Sequence, residues 1–93
     1  MAKIEVQRTN QGEPYEFQVT IQERGGETRH RVTLRKADYE RLSGGQASPE
    51  ALVRESFRFL LEREPKESIL RSFDLTLISR YFPAYEREIA GRL

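Results

Sequence analysis

The chain reads as an α+β domain, and two patterns say so. Residues 3–35 alternate apolar and polar side chains with a period of two, whereas residues 36–93 carry apolar stripes of helical period. The arrangement these patterns predict is an N-terminal three-stranded antiparallel meander (residues 1–35) packed against C-terminal helices (residues 36–93). All 93 residues form one domain, because the length suits one core and is too short for two.

Ile4 and Val6 alternate with Lys3, Glu5 and Gln7, which gives the first strand. The turn formers of Asn10–Pro14 follow. Tyr15, Phe17, Val19 and Ile21 then alternate with Glu16, Gln18, Thr20 and Gln22, a half-buried strand. Gly25-Gly26 offers the positive φ values that a tight hairpin needs. The third strand turns His30, Val32 and Leu34 to one face and Arg29, Arg31, Thr33 and Arg35 to the other. Its expected neighbour is the strand Tyr15–Gln22.

The second half is helical. A short helix over Lys36–Leu42 is broken by Ser43-Gly44-Gly45-Gln46. Ser48-Pro49 is a helix start, a hydroxyl cap followed by proline where its missing N–H costs nothing. The helix predicted over 48–64 carries Leu52, Val53, Ser56, Phe57, Leu60 and Leu61 as one stripe, widened by Phe59, and is the main lid on the sheet. Pro65 ends it. One or two helical turns are expected over Ser68–Phe73, and Asp74 caps a segment running from Leu75 to Phe82. Pro83 kinks or restarts that segment, and Ile78, Tyr81, Phe82, Tyr85 and Ile89 are spaced to share one helical face.

Composition narrows the function. Leu, Ile, Val and Phe supply 23 of 93 residues, enough for a core. There is no cysteine, which excludes disulfides, thiolate metal sites and thiol nucleophiles. With no apolar stretch of signal-peptide or membrane-spanning length, the expected location is cytoplasmic, with no membrane partner. Basic and acidic groups nearly cancel at 16 against 15, but residues 24–41 carry six basic and three acidic groups. A single histidine and two aspartates leave a transition metal short of ligands, so no cofactor is expected. His30 has no nearby acid at a spacing that would orient it as a general base. The chain is therefore read as a non-enzyme.

Two resemblances bear on this. Leu42-Ser43-Gly44-Gly45-Gln46 matches the signature loop of ABC transporter ATPases. That loop works beside a phosphate-cradling Gly-x-x-x-x-Gly-Lys-Ser/Thr motif, which this chain lacks, so the five residues read as turn chemistry. Residues 30–63 are the second case. His30–Arg35, then Tyr39-Glu40-Arg41-Leu42, then Ser48–Phe57 resemble the ribbon-helix-helix family of DNA-binding regulators and antitoxins. The resemblance implies a strand that pairs with its twin in a dimer and enters the major groove. Arg29, Arg31, Thr33 and Arg35 would then face DNA.

The leading expectation is a different one. The C-terminal third holds more apolar surface than a small sheet needs, and a three-stranded sheet has open edges. A non-catalytic binding or assembly module acting through protein–protein association follows, with Ile78, Tyr81 and Tyr85 as candidate contact residues. Its partner would be another protein or a second copy of the chain.

Overall fold

A computed structural model describes residues 2–93. The chain is α+β, with a four-stranded sheet in the order β1 (Lys3–Asn10), β2 (Tyr15–Glu23), β3 (Gly26–Leu34) and β4 (Ser72–Asp74). The first three strands form the antiparallel meander, Ile4 opposite Ile21 and Val19 opposite His30. The fourth is a correction to the three-stranded expectation. Residues 72–74 lie parallel to β3, with Phe73 opposite Val32, and Arg31 N–H donates to the Arg71 carbonyl at 2.7 Å. A strand of three residues is too short to display a period, so its neighbours Ile69 and Leu70 read as helix.

The β2–β3 hairpin also turns one residue earlier than Gly25-Gly26 suggests. Glu23 pairs with Gly26, so the two-residue loop is Arg24-Gly25, at φ 55° and 76°. Both values are positive, as a type I′ turn demands. Gly26 is instead the first residue of β3. A β-carbon there would lie 3.3 Å from the Lys66 ammonium, whose chain packs against the hairpin.

Phe17, Val19, Ile21, His30, Val32 and Leu34 all point to one side of the sheet and are buried. The helices cover that side only. α1 (Lys36–Ser43) ends at Gly44, whose φ of 60° lets its N–H reach the Glu40 carbonyl. α2 (Pro49–Leu61) begins where Ser48 accepts a bond from Ala51 N–H, and it buries Leu52, Val53, Ser56, Phe57, Phe59 and Leu60. Fully burying a side chain such as Phe57 is worth about 1.5–3 kcal/mol. A 3₁₀ turn covers Lys66–Ser68, but residues 69–73, where helical turns were expected, are loop and β4.

Asp74 caps the next segment as predicted, accepting from Thr76 N–H. A 3₁₀ turn (Leu75–Leu77) leads into the short α3 (Ile78–Tyr81). Phe82 then leaves helical geometry, at φ −131° and ψ 90°, because the residue before a proline is pushed toward extended backbone. α4 (Tyr85–Arg92) restarts beyond Pro83.

Paired charges fasten the layers. Arg8, on the inner side of β1, grips the Glu50 carboxylate of α2 with two bonds of 2.7 and 2.6 Å, which holds that carboxyl below its usual range. Arg63 lies 3.6 Å from the Phe59 ring centre and bonds Glu88, while Arg92 bonds Glu62, so α2 and α4 are clamped together.

Candidate functional site

The Phe82 break decides what the C-terminal stripe can touch. Ile78 is 3% exposed and Tyr85 is 0% exposed. Neither is available for contact, which corrects the expectation that Ile78, Tyr81 and Tyr85 share an outward face. Their missing partners were inside the chain: Tyr85 packs edge-on against Phe59 and bonds Ser56 at 2.6 Å. Tyr81 alone leaves the stripe, at 67% exposed.

Tyr81 stands on the rim of an apolar groove. The floor comes from Leu60 at the end of α2, Ile69 and Phe73 around β4, and Ile78 and Phe82 at α3. The hollow measures about 230 Å³. Leu70, 49% exposed, also lines it. Leu70 and Tyr81 are the two strongly exposed large hydrophobics among the described residues, and both belong to this groove. One acid, Glu64, is part of the lining. Its neighbours Glu62 and Arg63 are paired across to α4, whereas Glu64 meets no basic group among the described residues.

His30 shapes the groove from behind. Its Nδ1–H donates to the Leu70 carbonyl at 2.7 Å, and its Nε2 accepts from the Thr28 hydroxyl at 2.9 Å. A carbonyl can only accept, so this contact assigns the proton to Nδ1. Burial pushes the imidazole pKa down and the Arg71 charge adds to that, against the opposing pull of the Leu70 carbonyl. With both ring nitrogens engaged inside the chain, the histidine is a tether for the segment that carries Leu70.

The basic strand lies on the uncovered face of the sheet. Arg29 bonds Glu27 at 3.0 Å, Arg31 stands 3.5 Å from Glu16, and Thr33 donates to Asp74 at 2.7 Å. Arg35 is exposed at the N-cap of α1. Arg29, Arg31 and Arg71 surround one depression together with Thr9 and Gln18, and Arg71 has no carboxylate partner among the described residues. Residues 31–33 have β2 on one edge and β4 on the other. The twin-strand pairing that the ribbon-helix-helix resemblance implies therefore has no free edge at those positions.

Three groove residues escaped the sequence reading. Leu70 and Phe73 sit in the loop and strand read as helix, and nothing in the sequence sets Glu64 apart from the chain's other acids. No helix among the described residues is long and apolar enough to cross a membrane. Comparison with protein-family models, with curated proteins and with solved structures finds no match for this chain.

Proposed function

We propose that the chain is a non-catalytic binding module that holds a partner protein through the groove between α2, β4 and α3. The hollow takes an apolar side chain, Tyr81 and Leu70 close over it, and Glu64 meets a basic group beside it. The observation that carries this reading is that both strongly exposed large hydrophobics stand on one groove. Single exposed hydrophobics are ordinary on protein surfaces, but two around one apolar hollow form a patch with a shape to recognise.

The test is selection of a random peptide library on the folded protein. Enriched peptides should combine an aromatic or aliphatic residue with a nearby Arg or Lys. Leu70→Ser with Tyr81→Ser should weaken them by about tenfold or more, equivalent to ~1.4 kcal/mol. Because both side chains are largely exposed, the variant should keep its far-UV circular dichroism and melting temperature. Failure to enrich any binder, or binders indifferent to the double substitution, would overturn the proposal.

A second reading is polyanion binding by the open sheet face. Its support is the grouping of Arg29, Arg31 and Arg71 around one depression, with Arg71 uncommitted. The local acids Glu16 and Glu27 compete for those guanidiniums, which ranks it second.

A further inference from the structure

We infer that two copies of this chain pair through the free edge of β1, antiparallel about a two-fold axis at Ile4, forming a continuous eight-stranded sheet, four strands from each copy. This contact is separate from the groove at β4.

The backbone groups available for pairing follow from the sheet. Arg31 N–H donates toward β4, so the odd-numbered residues of β3 turn their backbone groups away from β2 and the even-numbered ones toward it. Antiparallel ladders alternate in this way along each strand. With Val19 opposite His30, the odd residues of β2 face β3 and the even ones face β1. Their partners there are Lys3 opposite Gln22, Glu5 opposite Thr20 and Gln7 opposite Gln18. Ile4, Val6 and Arg8 therefore turn their N–H and C=O groups to the open edge.

The two halves of that edge are built differently. At Arg8 the strand carries an inward-pointing charge locked to Glu50, and the register shifts between Arg8 and Asn10. An inward charge and a bulge both discourage strand addition. From Ala2 to Val6 there is neither, and no proline. Ile4 and Val6 stay partly exposed although their cross-strand neighbours Ile21 and Val19 are fully buried. The core is open on that side, and a strand added there would close it.

Charge selects both the occupant and the register. To keep inner faces together, paired residues must share parity. With the axis at Ile4, each Lys3 stands opposite the Glu5 of the other copy and Ile4 stands opposite its twin. Centring on Glu5 sets two carboxylates face to face. Centring on Val6 places Ile4 against Arg8 and runs the pairing into the bulge. Like charges directly opposite are unfavourable and opposite charges favourable, so the Ile4 register is the one a second copy fits.

The experiment is sedimentation velocity over a concentration series, from roughly micromolar to millimolar because the paired stretch is short. The native chain should show concentration-dependent dimers. Lys3→Glu and Glu5→Lys, each alone, should be monomeric, since each brings like charges together. Mixed in equal amounts the two variants should dimerise again, because each then supplies the charge that the other lacks. Both positions are exposed, so neither substitution threatens folding. Leu70→Ser with Tyr81→Ser must leave the dimer intact, which keeps this result independent of the groove. A chain monomeric at every concentration, a dimer indifferent to the single reversals, or a mixture that stays monomeric would each overturn the inference.

Discussion

Ser56 and Tyr85 form a buried pair in which removing the serine hydroxyl should cost more than removing the tyrosine hydroxyl. Both residues are 0% exposed. Ser56 Oγ lies 2.7 Å from the Leu52 carbonyl and 2.6 Å from the Tyr85 hydroxyl. A serine has one proton to give, and the carbonyl can only accept, so that proton goes to Leu52 and the tyrosine donates to Ser56. Burial raises the phenol pKa, which keeps that proton in place. Tyr85→Phe deletes the donor and leaves Ser56 still bonded to Leu52, so the loss is one ordinary hydrogen bond, about 1 kcal/mol. Ser56→Ala leaves a buried phenol O–H with no acceptor and should cost roughly 1–3 kcal/mol. Adding Tyr85→Phe to Ser56→Ala removes the orphaned group, so the double variant should be no less stable than Ser56→Ala alone. Urea unfolding followed by far-UV circular dichroism reads all four stabilities, provided the slope with denaturant stays constant. For a domain of this size about 1 kcal/mol should also move the melting temperature by about 4–8 °C. Costs that simply add, or a Tyr85→Phe cost exceeding that of Ser56→Ala, would refute the assigned direction of the bond.

Two further outcomes follow from the charges. The folded state holds the His30 pKa below the ordinary 6.5, so the unfolded chain takes up the proton first as pH falls. Stability should therefore be flat above about 6.5 and decline from there down to the lowered value, since it rises with pH wherever the unfolded state binds more protons. Urea midpoints between pH 5 and 8 should show that slope, and His30→Gln should remove it. Persistence of the slope in the variant would assign it to other groups. The carboxylate of Glu50, held below its ordinary 4.5 by Arg8, adds its own loss only at more acid pH. On the second functional reading, fluorescence anisotropy with duplex DNA should give binding that falls steeply with salt. The logarithmic slope is roughly 0.9 per phosphate neutralised. Arg31→Glu with Arg71→Glu should abolish the binding without unfolding the chain, since both guanidiniums border the depression and both side chains are exposed. No binding at low salt, or unchanged binding in that variant, removes the reading.

The strands β1 to β3 were legible because each is long enough to show its period and has one wet face. Asp74 and Ser48 were legible as caps because capping is chemistry between near neighbours in sequence. What escaped depends on contacts far apart in the chain. β4 exists because Arg31 and Arg71, forty positions apart, share a backbone bond. Ile78, Tyr81 and Tyr85 do fall at helical spacing, but Phe82 interrupts the helix, and the three then face different surroundings. Of the three, Tyr81 alone is exposed, a difference that the shared helical spacing could not reveal. Leu70 could not be found at all, since its exposure depends on where His30 ties the backbone of its loop.

The free edge and the groove lie at opposite ends of the sheet, and that placement gives their combination a consequence neither has alone. In the strand order β1 to β4, the unguarded edge is at β1, while Phe73 of β4 lies in the groove floor. β4, only three residues long, offers little edge of its own. Pairing through β1 therefore leaves both grooves open, one at each outer end of the joined sheet. A partner with two suitable segments would bind such a dimer by avidity, gaining on either single site without any new contact, provided its linker spans the two grooves. Lys3→Glu would then weaken the bivalent partner strongly while leaving a single peptide's affinity untouched. Leu70→Ser with Tyr81→Ser would weaken both. Equal losses for the single peptide and the bivalent partner in Lys3→Glu would show that edge and groove are one coupled surface.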